Sequence, residues 1–417
     1  MNHIMTGFGF GPIQAGLFAV EAQAGGRFSE IAVAEVDAEL VDALRAKQGQ
    51  YAVNVAGATG RRVVRVNGVR LLNPREQRDR MALEDCLARS TEIVTSLPSV
   101  DIYTAGGESS PAALIARALE STKAPATIIY TAENNNHAAE ILEAAVEKTP
   151  GGTTPGRPRQ FLNTVIGKMS QVVTDPDEIT RRDLTPIVPG LDRAFLVEEF
   201  NRILVSETAI EGFTPGISAF IEKEDLLPFE EAKLYGHNAI HALLGFMAAD
   251  RGCSSMAELA AMPDVMATAR DAFINEVGTA LIRRHQKLED PLFTPAGFEA
   301  YAEDLLARIT NPHLDDAVSR AVRDPLRKLG YADRIFGAIR LCLEHDIAPR
   351  NLAAGARAGL ALLLANPGLY NLPAELRNLN PARLSKDETS RLLAWLWHSE
   401  NPTSDTPRIT DLLATAA

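Results

Sequence analysis

The chain has 417 residues, with 54 acidic and 42 basic side chains and a net charge of −12 at pH 7. This charge argues against nucleic acid or an anionic membrane as a partner, and the length is sufficient for two domains with separate cores. The first Lys or Arg is Arg27 and no apolar run is long enough to span a membrane, so we expect neither a secretory signal nor an anchor. Three widely spaced cysteines fit a reducing, cytoplasmic compartment and cannot form a clustered zinc site.

The N-terminus has the pattern of a dinucleotide-binding unit. The apolar run at 4–8 predicts a short buried strand, and a glycine-rich turn after it opens a helix. Such a turn lets the backbone approach a pyrophosphate at the helix N-terminus, and Gly16 would allow the helix to pack closely on the strand. Gln14 stands where the usual fingerprint has its third glycine. The residues of this turn that we predict to contact the cofactor are Gly9, Gly11, Pro12 and Ile13.

The second predicted strand, at 30–34, is followed directly by Glu35. A carboxylate at this position accepts hydrogen bonds from the adenosine ribose hydroxyls, and it would repel a 2′-phosphate. No arginine follows within 36–44. We therefore predict NAD rather than NADP as the cofactor.

The predicted secondary-structure pattern changes once along the chain, from alternating strands and helices to helices alone. A polar glycine- and proline-rich stretch at 149–158 reads as a surface loop, and from Ala194 onward nearly all of the sequence has helical periodicity. The segments before that point are predicted strands at 101–104, 127–132 and 161–173 and predicted helices at 111–120 and 137–147. The sequence thus predicts an α/β fold with a doubly wound Rossmann-type domain at 1–193, followed by a mostly α-helical domain at 194–417.

Two further candidate residues follow predicted strands, at the sheet edge where ligands bind in parallel α/β folds. Gly106 follows the segment 101–104, and Asn134 follows the segment 127–132. Asn134 could reach the nicotinamide side of a bound cofactor and donate to a developing oxyanion. Alternatively, it belongs to a turn that caps the helix starting near His137.

A third group lies on one predicted helix, and its residue types suit alcohol oxidation. Lys233 could be a general base if burial lowers its pKa, Asn238 could hold the oxyanion, and Glu230 could carry the proton to solvent. Counting about 100° per residue, Asn238 lies roughly 140° around the helix from Lys233, with His241 between them. The alternative is an amphipathic helix with a solvated lysine.

Four motifs in order resemble the polyol-specific long-chain dehydrogenases, the mannitol dehydrogenase family. They are the Gly9-x-Gly11 turn, Glu133-Asn134, the Lys233-x4-Asn238-x2-His241 pattern, and Asn311-Pro-His-Leu-Asp with Asp324-Pro-Leu-Arg-Lys-Leu-Gly-Tyr-Ala-Asp-Arg334. The last segment most resembles the mannitol 1-phosphate enzymes of the family. The resemblance implies Lys233 as the general base, Asn134 and Asn238 as the oxyanion hole, and His241 as a residue that orients the substrate. It implies no metal.

The candidate substrate contacts include one departure from the family pattern. Where the family has Val-Asp-Arg-Ile, this chain has Ile166-Gly-Lys-Met169, so an acid is missing and Lys168 replaces an arginine. His237 is not a motif residue, and the cations of the last motif could bind a phosphate or pair with acids on their own helices. The predicted substrate contacts are Lys168, His237, Arg327, Lys328 and Arg334.

These observations predict an NAD-dependent oxidoreductase that interconverts a secondary alcohol of a sugar alcohol or hexitol phosphate with the ketose. The alternatives are a dehydrogenase of an unphosphorylated polyol or a hexuronate, and an NAD(H)-binding sensor without turnover. Short-chain and zinc alcohol dehydrogenases are disfavoured, because the chain lacks Tyr-x3-Lys and clustered Cys and His ligands. We expect a small-molecule substrate, and the sequence leaves monomer or dimer open.

Overall fold

The computed structural model describes residues 3–124, 126–150, 152, 156–398 and 405–414. The chain divides into two compact units, Met1–Leu227 and Pro228–Ala417. The loop predicted at 149–158 lies partly outside the described residues, at 151 and 153–155. No helix in the described ranges is long and apolar enough to cross a membrane.

The first unit is built on strands. They are β1 (His3–Phe8), β2 (Phe28–Ala34), β3 (Tyr51–Ala56), β4 (Arg61–Val66), β5 (Val69–Leu72), β6 (Glu92–Thr95), β7 (Thr127–Thr131), β8 (Arg159–Ile166), β9 (Ser170–Val173), β10 (Ala194–Glu198), β11 (Ile203–Ser206) and β12 (Phe220–Lys223). Its helices are α1 (Ala19–Gly25), α2 (Ala38–Ala46), α3 (Gln77–Arg89), α4 (Pro111–Leu119), α5 (Ala138–Glu147) and α6 (Pro176–Arg181). A π-helical turn at Gln14–Phe18 leads into α1.

The larger sheet has the strand order β12-β11-β8-β7-β6-β1-β2-β5. The run from β8 to β5 is parallel throughout, and β11 pairs antiparallel with β8. A reversal of strand order at β1, flanked by β6 and β2, is the switch point at which Rossmann-type sheets bind their ligands. The predicted α/β class with a Rossmann-type N-terminal sheet and a helical C-terminal part is confirmed.

A second sheet, in the order β4-β3-β10-β9, covers the first helix. One core joins β1, the π turn and α1 to β3 and β10 of this sheet, and another joins the opposite face of the larger sheet to α3, α4 and α5. The helix that follows the glycine turn is therefore held between two sheets. This burial fixes the orientation of its N-terminus.

The second unit is helical in its described residues. Its helices are α7 (Leu227–Glu231), α8 (Ala239–Asp250), α9 (Pro263–Asp271), α10 (Thr279–Arg284), α11 (Pro295–Ile309), α12 (Val318–Ala321), α13 (Pro325–Lys328), α14 (Arg334–Glu344), α15 (Arg350–Ala365), α16 (Lys386–Leu396) and α17 (Thr406–Ala414). Two π-helical segments, Ala232–Asn238 and Ala272–Gly278, join α7 to α8 and α9 to α10.

Two features differ from the sequence prediction. The predicted strand at 101–104 is part of a 3-10 helix, Val100–Thr104, and the strand of the sheet is β6. The compact units divide after Leu227 and not after residue 193, because β10, β11 and β12 pair with strands of the first unit. These strands are only four or five residues long, so they carry little period-2 alternation, and the helices that begin at Leu227 dominate the sequence pattern after residue 194.

Candidate functional site

A cavity of about 1000 Å³ opens at the carboxyl ends of β1 and β2. Its lining includes the six residues predicted for the cofactor at this edge, namely Gly9, Gly11, Pro12, Ile13, Glu35 and Gly106. Gly106 thus lies in the predicted place although the segment before it is a 3-10 helix. Asn134 is not among the lining residues.

The glycine turn fits a close approach of a ligand to the backbone. Gly9 has φ +82°, and a Cβ atom there would lie 2.7 Å from the carbonyl oxygen of Ser96. A Cβ on Gly11 would meet nothing within 4 Å, so this position faces open space. The turn leads into a helix N-terminus, where unpaired backbone N–H groups favour an anion.

The structure explains why Gln14 can replace the third glycine of the fingerprint. Its side chain is fully buried and lies over Gly7 of β1, where a Cβ would come within 2.5 Å of the Gln14 Nε2 atom. The position that must lack a side chain for close packing is therefore Gly7 on the strand, and not residue 14 on the helix. Gly16, by contrast, packs toward the second sheet, because a Cβ there would lie 2.7 Å from Val197 of β10.

Glu35 stands at the end of β2 as predicted. One carboxylate oxygen accepts from the backbone N–H of Phe10 at 2.8 Å, and the other accepts from Val36 at 2.7 Å and Asp37 at 2.9 Å. These bonds fix the carboxylate at the mouth of the cavity next to the glycine turn. The position suits recognition of ribose hydroxyls.

Asn134 is exposed and follows a buried carboxylate, Glu133, which the sequence interpretation did not assign a role. Glu133 accepts from the Thr95 hydroxyl at 2.9 Å, the Tyr103 hydroxyl at 2.5 Å and the Leu97 backbone N–H at 2.8 Å. Burial raises the pKa of Glu133, although these hydrogen bonds oppose the shift. The carboxylate thus ties the ends of β6 and β7 together and fixes the start of the segment that carries Asn134.

Lys168 makes hydrogen bonds to two neighbouring residues of the first unit. Its buried amine donates to the carbonyl oxygen of Phe200 and to the Asn201 side-chain oxygen, each at 2.9 Å. The lysine therefore holds the connection between β10 and β11. A contact with substrate stays a prediction.

In the second unit, Lys233 and Asn238 lie on the π-helical segment Ala232–Asn238 and not on a regular α-helix. A π-helix hydrogen-bonds i to i+5, so residues at that spacing lie about one turn apart. The two side chains are therefore much closer in angle than the roughly 140° expected from α-helical geometry. Gly236 permits this segment to pack, since a Cβ there would lie 2.9 Å from the Phe273 ring.

The amine of Lys233 has the shifted pKa that a general base requires. The pKa of Lys233 is lowered to about 8, first by burial and second by the positive charge of Arg334, while Glu230 opposes both effects. Glu230 is itself buried. A lysine with this pKa is partly neutral near physiological pH, unlike a solvated one.

His241 belongs to a hydrogen-bonded group with Asp316 and Arg320. Its Nε2 atom lies 2.9 Å from Asp316 Oδ2, and Arg320 donates to the same carboxylate through Nε at 2.5 Å and Nη2 at 2.6 Å. Burial lowers the pKa of His241, although Asp316 opposes this shift. For Asp316, burial alone would raise the pKa, but His241 and Arg320 hold it well below its usual range.

This arrangement defines the tautomer of the imidazole. An ionised Asp316 can only accept, so the neutral ring carries its proton on Nε2 and leaves Nδ1 as an acceptor. The sequence interpretation missed Asp316 and Arg320. Their i, i+4 spacing directly after the Asn311-Pro motif is the signal that could have found them.

His237 is buried on the same π-helical segment as Lys233. Burial lowers its pKa well below the usual range, and the charges of Arg308, His241 and Lys233 act in the same direction. The ring is therefore neutral. A substrate contact through His237 stays a prediction.

The cations of the last motif have acids or carbonyls as partners and also influence one another. Arg327 is exposed and lies 3.1 Å from Asp324, and buried Arg334 lies 2.7 Å from Asp333. The amine of Lys328 donates to the carbonyl oxygen of Ala321. The pKa of Lys328 is lowered to about 8, first by burial and then by neighbouring cations, of which Arg334 and Arg320 have the largest effects. Lys233 and Lys328 thus share the influence of Arg334.

No group of at least three His, Cys, Asp or Glu side chains in the described residues could hold a metal ion. Metal independence remains a prediction.

Comparisons with known proteins bear on the family. Residues 225–363 match the model of the mannitol dehydrogenase C-terminal domain. Mannitol-1-phosphate 5-dehydrogenase of Brevibacillus brevis is 29% identical over 359 residues, covering 85% of this chain and 84% of the relative. The enzyme of the same name from Halalkalibacterium halodurans is 30% identical over 182 residues, covering 43% of this chain and 47% of the relative. That second alignment spans about half of the relative's length.

Two solved structures are similar in fold over nearly the whole chain. A D-sorbitol dehydrogenase in substrate-free form has a TM-score of 0.76 at 13% identity, covering 99% of this chain and 92% of that one. Mannitol 2-dehydrogenase of Pseudomonas fluorescens, in a ternary complex with NAD and D-mannitol, has a TM-score of 0.69 at 15% identity, covering 100% and 91%. The predicted resemblance is confirmed: residues 225–363 match the mannitol dehydrogenase C-terminal domain, and most of the chain is similar in sequence to a mannitol-1-phosphate 5-dehydrogenase.

Proposed function

We propose that the chain is an NAD-dependent dehydrogenase that interconverts a secondary alcohol of a hexitol phosphate with the ketose phosphate. Mannitol 1-phosphate with fructose 6-phosphate is the leading pair. The observation that carries the proposal is the pKa of Lys233, lowered to about 8, on the π-helical segment that also carries Asn238. The names of the Brevibacillus and Halalkalibacterium relatives support the substrate class.

The cavity of the first unit fits NAD. The open space beside Gly11 would receive the pyrophosphate, and the carboxylate of Glu35 would accept hydrogen bonds from the ribose. When bound, NAD supplies the acceptor for the substrate hydride.

The protein residues move the proton and stabilise the charge on oxygen. In the oxidation direction, neutral Lys233 takes the hydroxyl proton and Glu230 relays it toward solvent. Asn238 would donate its amide N–H groups to the oxygen as negative charge develops, and the same role for Asn134 stays a prediction from the family resemblance. Nδ1 of His241 accepts a hydrogen bond from a neighbouring substrate hydroxyl, since Asp316 fixes the opposite nitrogen as a donor.

Preference for a phosphorylated substrate is supported by charge. Arg327, Lys328 and Arg334 lie within mutual electrostatic influence, and Arg334 acts on Lys233 as well. Arg334 is compensated by Asp333, whereas the buried amine of Lys328 donates to a carbonyl oxygen, so a substrate phosphate would compensate the charge of Lys328. An unphosphorylated polyol or a hexuronate remains the alternative, because Lys168 departs from the family pattern.

An initial-rate screen tests this proposal. Mannitol 1-phosphate, mannitol and a hexuronate are offered with NAD, and formation of NADH is followed by absorbance. We expect the highest kcat/KM with the phosphorylated polyol. Lys328→Met should lower that kcat/KM by about ten- to a hundredfold and affect mannitol much less, because a charge-assisted hydrogen bond is worth roughly 1.5–3 kcal/mol. Equal losses on both substrates would favour the unphosphorylated alternative.

The base assignment is tested with a pair of lysine variants. Lys233→Met should lower turnover by at least about a hundredfold, the usual contribution of a general base, while NADH binding stays near wild type. The matched control is Lys287→Met, which removes an exposed lysine of the same unit and should leave turnover unchanged. Binding of NADH without turnover on any substrate would favour the sensor alternative.

A further inference from the structure

An ion pair at the cofactor cavity involves an arginine far from the glycine turn in sequence. Arg193 precedes β10 of the second sheet, and its Nη1 atom lies 2.8 Å from Oδ2 of Asp37. Both side chains are partly exposed, at 25% and 32%, and both line the same cavity as Glu35. The second sheet, whose strands also place Val172 and Phe195 in the lining, is therefore preceded by a residue that contributes a cation to this cavity.

The pair lies at the end of the cavity expected to take the adenosine ribose. Asp37 follows Glu35 closely after β2, and the carboxyl end of this strand is where ribose hydroxyls bind in Rossmann-type domains. The backbone of Arg193 is fixed as well. Its carbonyl oxygen accepts from Ile187 at 2.8 Å, and the carbonyl of Ile187 accepts from Ala52 of β3 at 2.9 Å.

We propose that Arg193 is a latent 2′-phosphate contact and that Asp37 maintains the preference for NAD by occupying it. The proposal rests on the proposed use of NAD by this chain. A 2′-phosphate needs a cation, and the carboxylate of Asp37 neutralises the guanidinium and repels the phosphate. A ribose with free hydroxyls is uncharged and tolerates the pair. The absence of arginine within 36–44 thus excludes only cations that are close in sequence.

Asp37 can be neutralised without removing its structural role. Its Oδ1 atom accepts from the backbone N–H of Leu40 at 3.2 Å and caps α2. Asparagine caps helices about as well as aspartate, so Asp37→Asn should preserve the helix and release Arg193.

The test is a calorimetric titration of NADP⁺ and NAD⁺ without substrate, in a common Glu35→Gln background that removes the neighbouring charge. Adding Asp37→Asn should tighten NADP⁺ binding by about ten- to a hundredfold, the effect of one charge-assisted contact. Adding Arg193→Gln to that variant should abolish the gain. Adding Arg75→Gln, which removes a different arginine of the lining, should leave it intact.

The variants separate the possible outcomes. The proposal is overturned if Asp37→Asn does not tighten NADP⁺ binding, or if the tighter binding persists after Arg193→Gln. Thermal unfolding of each variant shows whether it is folded. Failure of the wild type to bind NAD⁺ would instead contradict the proposed function, while normal NAD⁺ binding with no NADP⁺ gain contradicts only the role of Arg193.

Discussion

Replacement of Asp316 by asparagine tests whether this carboxylate positions His241. The substitution keeps the shape of the side chain but removes the charge from one hydrogen bond with His241 and two with Arg320. A hydrogen bond to a charged group exceeds a neutral one by about 1 kcal/mol, so the loss should be roughly 3 kcal/mol. For a unit of this size, that corresponds to a fall in Tm of about 6–12 °C.

The sign of the pH dependence follows from the lowered pKa of Asp316. Its stabilising effect is fully present above the unfolded pKa of about 3.9, and it is lost only as the pH falls through the lower folded value. The part of the deficit of Asp316→Asn that comes from the Asp316 charge itself should therefore be constant from mildly acidic pH to neutrality, and a change with pH in that range reports the titration of His241, whose pKa Asp316 raises. Trp395 and Trp397, the two tryptophans of the chain, belong to the second unit, so tryptophan fluorescence reports its unfolding.

Loss of positioning should also affect the reaction. An asparagine can donate to Nε2 of His241 and favour the other tautomer, so kcat/KM for the polyol should fall by about ten- to a hundredfold, as is usual for partners that orient a histidine. The control is Asp315→Asn, which removes the neighbouring charge at a residue with φ +46° that asparagine adopts readily. Unchanged Tm and unchanged kcat/KM in Asp316→Asn would refute the positioning role.

Two further predictions concern the first unit. Gly9→Ala should weaken NADH binding by at least about tenfold, because an alanine at φ +82° costs roughly 1–2 kcal/mol before its contact with Ser96 is counted. Fluorescence titration with NADH checks this, with Gly60→Ala as the control, because a Cβ on Gly60 would meet nothing within 4 Å. Equal affinities of the two variants for NADH would contradict the prediction. Glu133→Gln should lower the free energy of unfolding of the first unit by about 1–3 kcal/mol, because the amide cannot accept from all three donors. Urea denaturation followed by circular dichroism measures this effect, and an unchanged midpoint would argue against Glu133 as the tie between β6 and β7.

The sequence predicted the Rossmann-type unit well because its signals are local. The strand, glycine turn, helix and acid from β1 to Glu35 follow one another without interruption. The second sheet was not predicted, since β3 and β10 are distant in sequence and pair only in the folded chain. Their pairing also explains why the division between units falls after Leu227.

Local sequence signals were also insufficient to predict the geometry of the candidate site. The spacing of Lys233 and Asn238 identified the segment, but α-helical counting placed the side chains too far apart because a π-helix has no simple sequence signal. Partners from distant segments were also missed. Asp316 binds His241, and Arg193 pairs with Asp37, only because tertiary structure brings their segments together.

The pH dependence of polyol oxidation tests the central claim most directly. If neutral Lys233 is the base, kcat for oxidation of mannitol 1-phosphate with NAD should rise with pH and level off above about 8, where burial places the pKa of this amine. Reduction of the ketose phosphate, which needs the ammonium form, should decline over the same range. In Lys233→Met the residual rate should lose this inflection. An inflection near pH 8 that persists in the variant, or one absent from the wild type, would contradict the assignment of Lys233 as the catalytic base.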